Sequence, residues 1–340
     1  MSDREGITAR VIGQHKRGYV LATDGGELLA SVAGRLRHES RGPVDLPAVG
    51  DRVVVSIEGP TTAVIQTVLP RSTLLRRRDT GAHDGQILAA NVDDGFIVVP
   101  LHRDITPLQL RIQQYTALVR DSGAAPALLL TKADLCPDVA AQVARATRAA
   151  PGVDLIVTSS LTGEGVAEVA ARLAAGRTGV LLGPSGAGKS SLINALTGAA
   201  LLETRDLSGL GEGRHASVRR ELVVLPGGGA VIDTPGLREV DAWLSEAAVG
   251  EAYPDVAALA GGCRFRDCTH LHEPGCAVRA GVESGQLDPL RLEGMRALQS
   301  ASARMRKTAV ELRRAYRAIG RASHSAQKKR PRKDGGSQDA

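Results

Sequence analysis

Apolar and polar positions alternate along the chain in two different patterns. Up to about residue 73, short β-type runs such as residues 9–15 are separated by glycine turns. Closely spaced strands of this kind predict a small barrel of the OB type. Between about residues 74 and 240, buried-strand runs such as residues 127–130 are followed by helical stretches. This second pattern predicts an open α/β sheet with helices between its strands.

The last part of the chain has a helical pattern and is basic. Between about residues 288 and 322, apolar residues recur at helical spacing with arginines between them. Residues 323–340 contain a run of lysines and arginines and end in glycine and polar residues, which predicts a disordered tail. We therefore expect an α/β multidomain protein with a barrel (1–73), a sheet domain (74–240), a mostly helical domain (241–322) and the tail.

Composition limits the class of protein. Of the 340 residues, 43% are hydrophobic but only 2% are aromatic, so the core must be built from Ala, Val, Leu and Ile. No secretory signal opens the chain. No apolar run approaches the roughly 20 residues that span a bilayer. We therefore expect a cytoplasmic protein with no membrane partner.

Positive charge favours a polyanionic partner such as RNA. The formal net charge is +6, and the tail contains the run Lys328-Lys329-Arg330. Basic residues also cluster in one connection of the predicted barrel, at Arg35, Arg37, His38 and Arg41. Such surfaces bind RNA phosphates. The alternatives are a solvated charged helix face and a barrel that only packs on its neighbour.

Residues 183–190 read G-P-S-G-A-G-K-S, which matches the phosphate-binding loop G-x-x-x-x-G-K-S. An apolar strand signal precedes them and a helical run follows, which is the setting that the motif requires. Glycines let backbone N–H groups surround a phosphate, Lys189 can reach the β- and γ-phosphates, and Ser190 can bind Mg²⁺. A glycine-rich turn with a chance lysine is the alternative. The predicted nucleotide-binding residues are Gly183, Pro184, Ser185, Gly186, Ala187, Gly188, Lys189, Ser190 and Ser191.

Two further motifs follow predicted strands. The segment Thr131-Lys132-Ala133-Asp134 resembles the N-K-x-D element of GTPases. Asp134 can accept hydrogen bonds from the N1–H and exocyclic amine of guanine, which adenine does not offer there, and Lys132 can lie over the base. Ser159 and Ser160 resemble the element whose backbone N–H groups meet guanine O6. Alone, each also fits a surface turn, but open α/β sheets bind ligands at the carboxyl ends of their strands, where these motifs fall.

A fourth motif, Asp233-Thr234-Pro235-Gly236, matches the D-x-x-G pattern. Asp233 would hold Mg²⁺ through water, and the Gly236 N–H would meet the γ-phosphate. Residues 211–222 before it are glycine-rich and charged, as a switch loop is. GTPases usually run from phosphate loop through switch and D-x-x-G to the guanine motifs. Here the guanine motifs come first, which indicates a circular permutation, an arrangement that close domain termini permit.

Three cysteines and a histidine fall within fourteen residues near position 270. We predict a tetrahedral Cys₃His zinc site formed by Cys263, Cys268, His270 and Cys276. His272 is the rival imidazole. Nothing marks an open catalytic position, so we expect one structural zinc ion coupled to folding. Reduced thiols without a metal are the alternative.

Together these motifs make the chain resemble one family, the circularly permuted, ribosome small-subunit-dependent GTPases known as RsgA. The similarity runs from about residue 7 to 320 and includes the segment Ala90-Asn91-Val92-Asp93. The resemblance implies an OB barrel, a permuted GTPase domain and a zinc module. It also implies a GTPase that binds the 30S subunit and its 16S rRNA, assists late maturation of that subunit and is stimulated by it. GTP is then the substrate, GDP the product, and Mg²⁺ and one Zn²⁺ the cofactors. We expect a monomer.

Two positions depart from the family pattern. The family usually carries a threonine run after the switch arginine and histidine, where this chain has Ala216-Ser217-Val218. Ser217 is our candidate for the missing Mg²⁺-facing threonine. Thr131 stands in place of the asparagine of N-K-x-D. We expect a looser guanine-reading loop, with Asp134 keeping the preference for GTP over ATP.

Hydrolysis needs a group that orients the attacking water. Many GTPases use a glutamine just after D-x-x-G, but Leu237 occupies that place here. His215 is the catalytic candidate within the chain, since a neutral imidazole can accept a hydrogen bond from water. The alternative is a group from the ribosome, with His215 contacting RNA or ordering its loop. Two rival functions stay open: a P-loop ATPase acting on a small molecule, and a non-catalytic RNA scaffold that holds GTP.

Overall fold

The computed structural model describes residues 6–15, 18–77, 86–174, 176–199, 220–234 and 246–303. Its first unit contains strands β1 (Ile7–His15), β2 (Gly18–Thr23), β3 (Gly26–Val32), β4 (Arg52–Gly59) and β5 (Thr62–Val68), with helix α1 (Gly34–Glu39) and a 3-10 turn (Pro43–Asp45) between β3 and β4. β1 pairs with both β2 and β4, and β3 pairs with β5, so the strands close in the order 1-2-3-5-4. This closed barrel confirms the predicted OB-type fold.

Aliphatic side chains fill the barrel. The fully buried positions in its interior include Val11, Leu21, Val53, Val55 and Ile65. Alternate residues of each strand face outward, as the pleat of a β-strand requires. The interior of a five-stranded barrel is narrow, which suits a chain with few aromatic residues.

A short hairpin, β6 (Leu74–Arg77) and β7 (Gln86–Ala90), leads from the barrel to a six-stranded sheet. The sheet contains β8 (Asp94–Pro100), β9 (Ala125–Thr131), β10 (Asp154–Val157), β11 (Thr178–Leu182), β12 (Arg220–Val224) and β13 (Ala230–Asp233), in the order β10-β9-β8-β11-β13-β12. Every neighbouring pair is parallel except β12 and β13. β8 is buried along its whole length, as is typical of a strand covered on both faces.

Helices cover both faces of this sheet. On one face α2 (Gln109–Asp121) and α3 (Val139–Ala149) pack against strand residues that include Ile97. On the other face α4 (Val166–Arg172) and α5 (Lys189–Thr197) pack against residues that include Phe96. Successive residues of β8 therefore enter different cores. Gly95 permits the close approach of α2, because a Cβ there would lie 2.4 Å from the Val119 side chain.

Barrel and sheet domain share hydrogen bonds. β1 pairs with β12 at Gly13–Glu221 and Gln14–Arg220, which makes one continuous eleven-stranded sheet. Nearby, Nη2 of Arg10 donates to the Thr178 hydroxyl at the start of β11, over 2.6 Å. The barrel thus docks on the strand that neighbours β13.

The third unit is helical. It contains α6 (Glu246–Ala252), α7 (Pro254–Ala260), α8 (Ala277–Glu283) and a last helical stretch, residues 289–303. Its residues Val249, Val256 and Leu298 belong to the same core cluster as α2 and α3. Within the described ranges, no helix combines the length and the apolar character needed to cross a membrane. The domain boundaries at 73, 240 and 322 stay predictions, and the predicted tail lies outside the described residues.

Arg291 ties the helical unit to the sheet domain. Its guanidinium donates to both carboxylate oxygens of Asp255, at 2.7 and 2.9 Å, and to the carbonyl oxygens of Ala252 and Ala149. It also lies 4.4 Å from the ring centroid of Tyr253. Burial disfavours the charged carboxylate of Asp255, but the hydrogen bonds and charge of Arg291 outweigh it and leave the pKa of Asp255 below its ordinary value. One side chain therefore joins α3, α6 and α7.

Replacing this arginine (Arg291→Met) should lower the free energy of unfolding by about 3 kcal/mol, because a half-buried carboxylate and two carbonyl oxygens lose their donor. Arg279→Met is the matched control, since Arg279 pairs with Glu283 at 3.6 Å on the surface and exposed pairs contribute about 0.5 kcal/mol. Urea denaturation followed by circular dichroism measures both variants. Equal losses in the two would contradict the role assigned to Arg291.

Candidate functional site

The segments that are predicted to bind nucleotide and that the structure describes meet at one edge of the sheet. Strands β10, β9, β11 and β13 run parallel, so their carboxyl ends share that edge. Those ends lead, in the same order, to the serine pair, Thr131-Lys132-Ala133-Asp134, the phosphate loop and Asp233. β8 lies between β9 and β11 and brings the loop that follows it to the same edge.

The phosphate loop leads from β11 into the N-terminus of α5. Gly186 and Gly188 have φ values of 77° and 93°, in the left-handed region that favours glycine, and Gly188 is the N-cap of α5. Ser190 and Ser191 follow in the first turn of the helix and are half-buried. The backbone therefore curls as a phosphate-binding nest requires.

Lys189 and Asp233 form the charged centre of the loop. Lys189 is 7% exposed, and its Nζ donates to the carbonyl oxygens of Gly183 and Pro184 at 2.9 Å. Burial lowers the pKa of Lys189 and raises that of Asp233, and each charge opposes the shift of the other group. Oδ1 of Asp233 is buried and has no hydrogen-bond partner among the described residues. An orphaned carboxylate oxygen beside a buried ammonium fits a site for hydrated Mg²⁺ and a phosphate.

A threonine joins the loop after β9, which is predicted to read guanine, to the phosphate loop. The hydroxyl of Thr131 donates to the carbonyl oxygen of Ala187 at 2.6 Å, and Thr131 is only 2% exposed. A Cβ on Gly188 would lie 3.6 Å from Thr131 Oγ1, an ordinary van der Waals contact, so glycine is favoured here by its φ of 93° and not by lack of space. Thr131 thus makes a direct bond between the two motifs, and the looser loop expected from the loss of asparagine stays a prediction.

Side-chain contacts also organise the residues that are predicted to read guanine. Ser159 is fully buried, and its Oγ donates to Oδ1 of Asp134 at 2.5 Å. Ser160 follows and is half-buried. Lys132 adopts a φ of 60°, and burial lowers its pKa. The loops after β9 and β10 are thereby held together at the end of the sheet where a base would lie.

Three predicted site residues, His215, Ser217 and Gly236, lie outside the described residues. The water-orienting group, the replacement threonine and the γ-phosphate contact therefore stay predictions. Sequence reasoning also passed over His102, which follows the carboxyl end of β8 at the same edge. The sequence does place His102 directly after an apolar strand run, as it places the other site motifs, and this position could have indicated it.

The structure brings the four predicted metal ligands together. The ligand atoms of Cys263, Cys268, His270 and Cys276 all lie within 4.8 Å of one another. The sulfurs of Cys276 and Cys263 lie 3.4 and 3.6 Å from His270 Nδ1, and these two sulfurs are 3.9 Å apart. Tetrahedral zinc requires sulfur–sulfur separations of about 3.8 Å and sulfur–nitrogen separations of about 3.5 Å. Donor set and spacing therefore fit a zinc ion, with His270 rather than His272 in the cluster.

Glu273 shapes the loop that carries His270. Its carboxylate accepts hydrogen bonds from the hydroxyl and N–H of Thr269 and from the N–H groups of Leu271 and His272. These bonds, that of the Thr269 hydroxyl first, lower the pKa of Glu273 to about 2. His270 lies inside this turn with a φ of 59°. Glu273 was not singled out from the sequence alone, although it lies between the predicted ligands His270 and Cys276.

The comparison with family models decides the relationship. The model described as RsgA GTPase matches residues 68–243, which is just over half of the chain. The chain belongs to the RsgA GTPase family. The small ribosomal subunit biogenesis GTPase RsgA of Opitutus terrae is 45% identical over 338 residues, covering 95% of this chain and 89% of that protein. The protein of that name from Streptomyces avermitilis is 42% identical over 92% of this chain and 84% of its own length.

Two solved structures share the fold. YjeQ from Thermotoga maritima superposes with a TM-score of 0.65 over 88% of this chain and 99% of its own, at 24% identity. YloQ, described as a circularly permuted GTPase, gives a TM-score of 0.60 over 89% and 98%, at 21% identity. In this RsgA family member, the guanine-motif strands β9 and β10 precede the phosphate-loop strand β11. The permuted fold expected from the motif order is thereby confirmed.

Removing a metal ligand (Cys276→Ser) should abolish stoichiometric metal binding and lower the free energy of unfolding by at least about 2 kcal/mol, because metal affinity is coupled to folding. Cys136→Ser is the control, since Cys136 is not part of the cluster. Elemental analysis and thermal denaturation of both proteins test this. A wild-type protein that carries no metal when purified without chelator would refute it.

Removing the hydroxyl that joins the two nucleotide loops (Thr131→Val) should weaken GDP binding about tenfold, because the buried carbonyl of Ala187 loses its donor and the loops are freed from each other. Thr131→Ser keeps the hydroxyl and is the control. Isothermal titration calorimetry with GDP compares them. If the valine variant binds GDP like the serine variant, the bond has no role in the site.

Proposed function

We propose that this protein is a GTP hydrolase that binds the 30S ribosomal subunit, assists its late maturation and is stimulated by it. The observation that carries this proposal is the hydrogen bond from Thr131 to Ala187, which brings the guanine-reading loop onto the phosphate loop. Family membership supports it, since the relatives are small ribosomal subunit biogenesis GTPases. The permuted motifs thus make one site, suited to one guanine nucleotide.

Base selectivity depends on Asp134. With its carboxylate oriented by Ser159, it would accept hydrogen bonds from the N1–H and exocyclic amine of guanine. Adenine has no hydrogen at N1, so the same carboxylate would face an acceptor and lose its partner. Lys132 would lie over the base, and the backbone N–H groups at Ser159 and Ser160 would meet guanine O6. The protein therefore binds GTP in preference to ATP.

Phosphate binding requires an exchange of partners at Lys189. Its ammonium would leave the carbonyl oxygens of Gly183 and Pro184 for the β- and γ-phosphates, because charge-assisted bonds to phosphate are stronger. The Ser190 hydroxyl and the Asp233 carboxylate would hold Mg²⁺. When bound, this ion offsets the negative charge that develops on the phosphates during transfer.

The hydrolytic step needs a water in line with the γ-phosphate. His215 orients that water in our proposal, and Ser217 takes the place of the family threonine, with the Gly236 N–H at the γ-phosphate. A ribosomal group could replace His215 in this role. In either arrangement we expect the isolated protein to be slow, because contact with the subunit would either bring His215 into place or supply the group that replaces it.

The other units suit contact with ribosomal RNA. We propose that the Cys₃His cluster holds one zinc ion in a structural role, since four protein ligands leave no open position. The net charge of +6 favours binding to 16S rRNA. We propose a cytoplasmic monomer divided at residues 73, 240 and 322, with the barrel and the basic segments as RNA contacts.

Phosphate release from GTP should be slow for the protein alone and rise at least roughly tenfold with purified 30S subunits, as activators complete GTPase sites. The stimulation should fall as salt rises, because RNA phosphate contacts are salt-dependent. 50S subunits are the matched control, and ATP should neither be hydrolysed nor compete.

Three outcomes would overturn the proposal. Equal turnover with and without 30S subunits removes the ribosomal activation. GTP that stays intact on the 30S-bound protein indicates a scaffold, and ATP that displaces GTP indicates an ATPase. A His215→Ala protein that binds GTP but is inactive on 30S subunits would support a role for that histidine in hydrolysis.

A further inference from the structure

One titratable side chain at the nucleotide edge has no role in the site described above. His102 follows β8, which stands between the guanine-motif strand β9 and the phosphate-loop strand β11. Its neighbour Leu101 donates a backbone N–H to the carbonyl oxygen of Thr131 at 2.8 Å. This bond anchors the chain at His102 beside the segment that contains Lys132.

One ring nitrogen of His102 is unpaired among the described residues. The residue is half-buried, but its Nδ1 is fully buried and has no hydrogen-bond partner among the described residues. Burial lowers the pKa of His102, and the positive charges of Lys132 and Arg103 lower it further. The imidazole is therefore neutral near neutral pH, with one nitrogen able to accept a hydrogen bond.

Lys132 is the matching donor. Its side chain passes the phosphate loop, because a Cβ on Gly188 would lie 3.9 Å from Lys132 Cε. An ammonium has three N–H donors and no acceptor, so it can donate a hydrogen bond to the unprotonated nitrogen of a neutral imidazole. We propose that His102 is a positioning residue for guanine nucleotides: its Nδ1 accepts a hydrogen bond from Lys132 Nζ while Lys132 lies over the base. This inference rests on the proposed function.

The surrounding charges set the direction of the pH dependence. Two positive charges act on His102: that of Lys132, in the loop after β9, and that of Arg103, the next residue in the chain. The nearest acid along the chain, Asp104, accepts hydrogen bonds from the N–H and hydroxyl of Thr106 and pairs with Arg145 of α3 at 3.4 Å. A protonated His102 would thus repel Lys132 and lose its acceptor.

Nucleotide binding favours the neutral ring in this arrangement, so the pKa of His102 is lower in the complex than in the free protein. The sign follows from linkage. GDP affinity is greatest above the pKa of His102 in the free protein, which lies below its ordinary 6.5. The affinity falls as pH decreases through that value, because binding must then release a proton.

GDP titration calorimetry between pH 5.5 and 8 tests the proposal with two variants. His102→Leu removes the acceptor and should weaken GDP binding about tenfold at pH 8, as expected for a lost bond to a charged group. His102→Asn places an amide oxygen near the Nδ1 position and cannot titrate. It should bind GDP like the wild type at pH 8 and bind more tightly than the wild type at pH 5.5. The GDP phosphates also titrate in this pH range, but this affects the wild type and His102→Asn equally. It therefore cancels in the ratio of their two GDP affinities.

A double-mutant cycle separates positioning from packing. In a Lys132→Ala background, His102→Leu should cause no further loss of GDP affinity. An unchanged affinity of His102→Leu at pH 8, a full additional loss in the Lys132→Ala background, or equal pH profiles for His102→Asn and wild type would each overturn the proposal. If His102→Leu does not fold, the asparagine profile decides. Wild-type protein that fails to bind GDP would instead refute the proposed function.

Discussion

The nucleotide site depends on one geometric constraint, the parallel pairing of β10, β9, β8, β11 and β13. Parallel pairing places the carboxyl ends of these strands at a single edge, so a loop leaving any of them reaches the same ligand. β9 and β10 precede β11 in this chain, yet Thr131 lies within hydrogen-bond distance of the phosphate loop. Permutation therefore changes how the strands are connected and leaves the assembled edge intact.

Much of this arrangement could be predicted from short-range signals. Fixed motif spacing indicated residues 183–190 and the cysteine cluster, and the apolar run at residues 127–130 indicated a buried strand. Side-chain partners could not be predicted, because they depend on contacts between distant segments. Thr131 shows this: its sequence position gives no sign of the Ala187 carbonyl oxygen, which the fold places 2.6 Å from its hydroxyl.

The Cys₃His cluster and the loop after β9 are connected through packing. The C-terminal helices contribute to the same core as α2 and α3, and Arg291 bonds to the end of α3, the helix that follows the guanine-reading loop. The binding free energy of a structural metal is folding free energy. Part of the free energy of a metal bound at this cluster would therefore stabilise the sheet face on which α2 and α3 pack. Ligand spacing indicated the cluster but not this shared core, since core sharing leaves no local sequence pattern.

The pairing of β1 with β12 limits how the chain can be divided. Without the barrel, β12 would be an edge strand whose free backbone N–H and C=O groups invite pairing with other chains. Gly13 and Gln14 cover the part of that edge nearest Asp233. A fragment that begins after the barrel would expose it and tend to aggregate. The barrel therefore acts as an intramolecular shield against self-association, independently of any RNA it binds.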